Sequence, residues 1–382
     1  MYVARLELVD FRSYPRVVVQ LEPGVNVLIG PNGVGKTNLV EAMAYLATLT
    51  SHRVATDAPL VRSGATVAVI RATIVSGPRQ LIVEIAIEPG KANRARLGGS
   101  PTRRARDIIG ALRLVSFAPE DLSLIRGEPA ERRRYLDELL VARRPRFAGV
   151  RADYDRVLKQ RNALLRTAYL ARKTGAGDRD LSTLTVWDTH LAEHGAELLG
   201  ARLELCAELA PYVAKAYEAV SAASGAATMA YRTSLATAAE QSDRPLPTDR
   251  PTLVQLLADA LTAARKEEID RGTTLVGPHR DDLALALGDL PAKGYASHGE
   301  SWSFALAMRL AGYDLLRAEG IEPVLVLDDV FAELDAGRRD RLAELVGGAS
   351  QLVVTCAVAD DVPDSLDGVR FTVLEGGVRR AE

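Results

Sequence analysis

Apolar and polar residues alternate along the first hundred positions, recur at helical spacing through the middle, and alternate with helices again near the end. Tyr2 to Val9 and Val17 to Leu21 predict paired strands around the turn FRSYP, and Val25 to Ile29 predicts a third strand. Leu39, Val40, Met43, Leu46 and Ala47 fall on one helical face, which predicts a helix from Thr37 to Leu49. Thr66 to Val75, Gln80 to Ile87 and Ala95 to Leu97 predict a meander punctuated by Ser76-Gly77-Pro78 and Pro89-Gly90. Helices are expected at Glu128 to Ala142, Phe147 to Leu170, Trp187 to Ala222 and Thr252 to Gly272, with linkers at Thr174 to Asp178 and Ser242 to Pro251. Ser301 to Ala318 then predicts a helix, Pro323 to Leu327 a buried strand, Leu342 to Val346 part of a helix, and Leu352 to Thr355 and Phe371 to Leu374 strands. The simplest assembly is an α/β protein in which residues 1–103 and 271–382 form one lobe and 104–270 an inserted, mainly helical second lobe. No heptad pattern is sustained, so a long coiled coil is not expected.

Composition changes this picture at one point. The 382 residues carry a net charge of −2, yet residues 91 to 173 hold 21 Lys+Arg against 9 Asp+Glu. Such a local excess suggests a surface for a polyanion. Arg103, Arg104, Arg106, Arg132, Arg133, Arg143 and Arg144 are, as a patch, candidates to meet DNA phosphates; taken singly, each reads rather as part of a solvated helix face paired with nearby Glu and Asp. Little aromatic interleaving favours duplex contact over a single-strand stacking platform. Cys206 and Cys356 lack motif spacing, which argues against a zinc site or disulfide framework. The start MYVARLELVDF has no signal-peptide pattern, and no long apolar run occurs, so a soluble, cytoplasmic protein without membrane contact is expected.

The chemistry begins at Gly30-Pro31-Asn32-Gly33-Val34-Gly35-Lys36-Thr37, which follows the third strand and opens the first helix. Gly-x-x-x-x-Gly-Lys-Thr in that setting is a phosphate-binding loop: glycines let backbone N–H groups turn inward, Lys36 meets the β and γ phosphates, and Thr37 is a ligand for Mg²⁺. Asn38 continues the loop into the helix, whose positive end faces the nucleotide. The strand ending in Asp328-Asp329 is a Walker B pattern, with Asp328 for the metal and Asp329 to activate water. Ser297 and Gly299, in Ala-Ser-His-Gly-Glu-Ser before the next helix, resemble the signature loop of ABC ATPases, which meets the γ-phosphate held by a partner subunit. An ordinary N-cap has the same look. Asp335 matches the D-loop position, and Thr355 lies where ABC ATPases sense the γ-phosphate, although no His stands there.

Taken together these segments resemble the RecF family of DNA repair ATPases, relatives of SMC heads. LELVDFRSY, GPNGVGKTNLVEA, FAPEDL, GEPAERRRYLD, GPHRDD and VLVLDDVFAELD carry the resemblance along nearly the whole chain. Glu300 departs from it, since the family often has Gln in the signature loop. The resemblance implies an ABC-type P-loop ATPase head without a long coiled coil. It implies ATP and Mg²⁺ as cofactors, ATP-dependent homodimerisation, and slow hydrolysis stimulated by DNA. It further implies double-stranded DNA and single-strand/double-strand junctions as partners, and RecO and RecR as helpers in loading RecA. By the same likeness Arg12, with Ser13, contacts the nucleotide, and Glu120 and Asp121 lie near a metal-sensing loop; Arg12-Ser13 also reads as a plain basic turn. His279 to Asp282 either couple the lobes or form a structural turn. A transporter ATPase subunit would have its two nucleotide motifs closer together. A structural DNA-binding protein with vestigial turnover shares the same features.

Overall fold

A computed structural model describes residues 1–174, 182–221, 225–235 and 246–381. Parts of the two expected linkers, 175–178 and 242–245, and the expected helix end at Ala222 lie outside the described residues. The chain divides into two compact units, Met1–Arg126 with Tyr212–Ala227 and Ala296–Glu382, and Gly127–Pro211 with Thr228–Tyr295.

The first unit holds two six-stranded sheets. One is antiparallel, in the order β2 (Tyr14–Gln20), β1 (Tyr2–Phe11), β4 (Ala68–Ser76), β5 (Arg79–Ile87), β6 (Arg94–Leu97), β7 (Ser100–Pro101). The other runs β15 (Gly377–Arg380), β14 (Val369–Leu374), β3 (Gly24–Ile29), β13 (Gln351–Cys356), β12 (Val324–Asp328), β8 (Leu114–Phe117), and is parallel from β14 to β8. Strands covered on both faces are mainly apolar, and every residue of β12 and β13 is buried, with Asp328, Gln351 and Thr355 as their polar members. Helix α1 (Lys36–Thr48) shares one core with residues of both sheets, so it is buried well beyond the single face its periodicity predicts. The Gln351 amide joins the sheets: Oε1 accepts from Val3 N at 2.8 Å, and Nε2 donates to Val3 O at 2.9 Å. It thereby supplies a ladder-like pair of bonds to β1 from a strand of the other sheet.

The second unit contains α2 (Pro129–Arg143), α3 (Phe147–Lys173), α4 up to Pro211 (the whole helix is Ser182–Val220), α5 (Arg250–Arg271) and a sheet of order β11 (Leu290–Pro291), β10 (Asp282–Leu287), β9 (Ala227–Arg232). Its interior is held by charged networks. Arg161, fully buried, donates to Asp188, Glu268 and Thr274 at 2.6, 2.6 and 2.8 Å. Arg202 grips Asp137 with both arms of its fork and donates to Pro278 O. Arginine suits such sites because its planar fork matches a carboxylate.

The expected lobe boundaries shift at both ends. Residues 104–126 join the first unit because Leu114–Phe117, a four-residue strand, pairs in parallel with β12. Residues 271–295 join the second because β10 belongs to its sheet and Asp281 accepts from Ser234 and Tyr231. The stretch 212–227, expected in the helical insert, also returns to the first unit, where the Tyr217 ring meets Phe304 edge-on at 5.5 Å.

Candidate nucleotide-binding site

The phosphate loop leaves β3 and enters α1 through residues whose shape is required. At Gly35 φ is +111°, a region that disfavours a Cβ, and an added Cβ would stand 2.8 Å from the Tyr14 hydroxyl and 2.9 Å from Ser13 Oγ. At Gly30 an added Cβ would meet Val373 O at 2.4 Å. Pro31, Asn32 and Gly33 form the exposed rim, and Val34 is half-buried. Lys36 is only 3% exposed, and its Nζ donates to Gly30 O at 2.8 Å and to Pro31 O and Asn32 Oδ1, each at 3.3 Å.

Three strand ends bring the acidic half of the site to this loop. β13 lies between β3 and β12, so Thr355 is in register with Leu28 on one side and Asp328 on the other. Asp328 Oδ1 accepts from Thr37 Oγ1 at 3.3 Å and from Thr355 Oγ1 at 2.5 Å. Burial pushes the Asp328 carboxyl up to about 6; the two hydroxyls oppose this, and the charges of Asp329 and Glu120 add to it. Asp329 sits in the left-handed region at φ +52°, its N–H bonded to Thr355 Oγ1 at 2.9 Å, and its carboxylate stands 3.9 Å from Lys36 Nζ. A hydroxyl and a carboxylate converging beside a phosphate loop are the hard oxygen donors that suit Mg²⁺. The buried ammonium and the N-terminus of α1 suit polyphosphate. The residues present therefore fit both groups.

The remaining candidates divide. Ser13 accepts from Asn38 Nδ2 at 2.9 Å, which sets the Arg12-Ser13 turn against the first turn of α1. The Arg12 fork is engaged by buried Glu41 at 2.9 and 2.6 Å and by Pro59 O at 3.1 Å, and Glu41 also accepts from Ser51 and Arg53. Arg12 thus braces the loop's helix through Glu41. Asp121 caps Ala118 N and pairs with Arg309, while Glu120 acts on Asp328 through its charge.

Ser297 caps helix α6 (His298–Ala318), and its exposed hydroxyl accepts from Glu300 N at 3.3 Å. Glu300 answers by accepting from Ser297 N at 2.9 Å, which holds its carboxyl below the usual range. This capping box gives the unexpected carboxylate a structural place, and Ser-x-x-Glu was its legible signal. Arg126 donates to Ser301 Oγ at 3.1 Å, and Gly299 lies near the Arg338 guanidinium. Asp335 is exposed and caps α7 (Ala336–Val346) through Arg338 N at 3.0 Å.

Among the candidate DNA contacts, Arg132 and Arg143 need correction. Arg132 is 5% exposed and spends its fork on Asp282 at 2.7 and 3.0 Å; the Arg143 side chain is 8% exposed and pairs with Glu208. Neither offers a free cation to a polyanion. Arg133 is half-buried and donates to Asp281 O at 2.7 Å. Arg103, Arg104 and Arg144 are exposed, and Arg106 is half-buried. GPHRDD proves to be scaffold of the second unit: His279 bonds Tyr154 at 2.7 Å, and Asp281 and Asp282 take the partners already named. Burial lowers His279 to about 4.

A phosphate loop facing a buried strand-end carboxylate, with a second, antiparallel sheet sharing the core of the loop's helix, defines an ATPase head of the ABC and SMC type. The family described as RecF/RecN/SMC N terminal domain matches residues 2–372. The chain belongs to this family and, within it, to the RecF proteins. The DNA replication and repair protein RecF of Streptomyces avermitilis is 61% identical over 380 residues, and that of Frankia alni 59% over 381, each with 100% of both chains covered. Among solved structures, the recombination mediator protein RecF with ATP in the RecFOR pathway is similar with TM-score 0.88 and 25% identity, covering 100% of this chain and 98% of that one. An Smc head bound to the C-winged helix domain of ScpA, at 15% identity and TM-score 0.57, shares the fold. Among the described residues, no helix is long and apolar enough to cross a membrane.

Proposed function

We propose that this chain is an ATP-driven clamp on duplex DNA, acting in repair near single-strand gaps. The observation that carries the reading is the convergence on one loop of a buried lysine, the Thr37–Asp328 pair and the exposed side of Asp329. It is supported by full-length likeness to RecF proteins, one of which was solved with ATP. Lys36 and the N–H groups of α1 hold the β and γ phosphates, and Thr37 and Asp328 hold the metal. Bound Mg²⁺ supplies charge neutralisation at the transferring phosphoryl group. Asp329, 33% exposed in its side chain, accepts the proton of the attacking water.

In this reading the Ser297 segment of one copy closes on the nucleotide held by another. Its exposed hydroxyl and helix N-terminus favour an anion. ATP is then a ligand of the closed state, and hydrolysis releases it. Arg103, Arg104 and Arg106 of the first unit meet the DNA backbone, and exposed Arg144 of the second unit is a separate candidate. Turnover is slow and stimulated by DNA, and the clamp prepares the gap for RecA with RecO and RecR.

Sedimentation with and without Mg–ATP tests the dimer. The wild type is expected to pair with ATP, and Ser297→Arg is expected to bind nucleotide yet stay monomeric. A wild-type chain that remains monomeric when saturated with Mg–ATP and duplex, and whose Asp329→Asn variant does the same, overturns the reading.

A further inference from the structure

We propose that Thr355 is a positioning residue for the metal-dependent step, a single hydroxyl that braces both acidic residues of the site. The inference rests on the ATP reading above and adds to it a role for Thr355, whose buried hydroxyl is engaged by Asp328 and by Asp329 N.

The geometry is specific. Thr355 is fully buried, on the strand between the one that feeds the phosphate loop and the one that ends in Asp328. Its hydroxyl proton goes to Asp328 Oδ1 at 2.5 Å. Its oxygen accepts from Asp329 N at 2.9 Å, and its carbonyl accepts from the same N–H at 3.2 Å. The first bond fixes the carboxylate oxygen that Thr37 also reaches, at 3.3 Å. The second holds Asp329 at φ +52°, which a residue with a Cβ leaves readily unless the surroundings hold it there. That backbone turn directs the Asp329 carboxylate to within 3.9 Å of Lys36 Nζ. One hydroxyl therefore orients the carboxylate that would hold the metal and sets the direction of the carboxylate assigned to water. Partners behind a metal ligand act in this way, by fixing its orientation.

Thr355→Val keeps the shape and removes the hydroxyl, whereas Thr355→Ser keeps the hydroxyl. Amide hydrogen exchange at Asp329, measured without nucleotide or metal, is expected to accelerate in Thr355→Val and to stay near wild type in Thr355→Ser. With ATP, the Mg²⁺ concentration for half-maximal turnover is expected to rise about tenfold or more in Thr355→Val, with kcat reduced, KM for ATP nearly unchanged and both restored in Thr355→Ser. If Thr355→Val does not fold, Thr355→Ala against Thr355→Ser gives the same contrast. Uptake of a fluorescent ATP analogue by the wild type in EDTA tests the ATP reading separately, and the exchange measurement judges the brace even if that uptake fails. Wild-type exchange at Asp329 in the variant without the hydroxyl, or an unchanged Mg²⁺ requirement, overturns the proposal.

Discussion

Lys36 Nζ lies 3.9 Å from Asp329 Oδ1 while donating to Gly30 O at 2.8 Å, so the loop lysine is already held between its own backbone and the acid across the site. A buried ammonium with this set of acceptors is preorganised for phosphate rather than drawn in by it. Lys36→Met removes the cation and leaves carbonyls facing the polyphosphate. Loss of one side of a buried charged contact costs about 2–5 kcal/mol, so ATP affinity should fall by roughly 30-fold or more. Equilibrium titration with a fluorescent ATP analogue measures it.

Asp329→Asn keeps the size of the side chain and removes its capacity to take a proton. Nucleotide binding and ATP-dependent pairing should persist, while phosphate release slows by about 10²–10⁴-fold. Normal turnover in this variant would mean that another group activates the water.

The raised Asp328 carboxyl gives a pH signature. Its folded pKa of about 6 exceeds that of the unfolded chain, so the metal-free fold carries a penalty above pH 6 that fades as pH falls from 6 toward 4. Asp328→Asn should therefore unfold at a higher temperature than the wild type at pH 7.5 in EDTA. That advantage, on the order of 2 kcal/mol, should shrink on acidification below 6. Metal binding has the opposite trend, since a protonated carboxyl is a poor ligand. The Mg²⁺ requirement of the wild type should climb as pH drops through about 6.

The arginines separate into two groups with different expected effects. Arg103→Ala with Arg104→Ala should weaken duplex binding and lower the slope of log affinity against log salt by about 2, with the unfolding midpoint unchanged. Arg132→Ala should instead lower the unfolding midpoint, because Asp282 loses its fork partner. DNA titrations at several salt concentrations beside thermal melts distinguish them.

Much of the candidate nucleotide site was legible because its chemistry is contiguous. Gly30 to Thr37 and Val324 to Asp329 each fit in one short window, between flanks of the right period. The arginines were not legible in the same way. Whether a cation faces solvent or a carboxylate depends on tertiary partners, and Asp282 is 150 positions from Arg132. The lobe boundaries were hidden for a related reason. Leu114–Phe117 is four residues long and gains its identity only from the neighbouring β12, far along the chain. Ser297-His298-Gly299-Glu300 held a readable capping box, yet comparison with a family pattern made Glu300 look anomalous. Thr355 had no local signal for its brace, because its two partners are met across a strand pairing.

The Gln351 amide bonded to Val3 closes the molecule between residues 348 positions apart. During synthesis the phosphate loop leaves the ribosome long before the strands that complete its sheet, and β3 must wait without its two neighbours, β13 and β14. The inserted helical unit has its own interior and is free to form in the interval. A chain terminated before β12 leaves β3 without its sheet neighbours and without Asp328, an open apolar edge of the kind that associates with other chains.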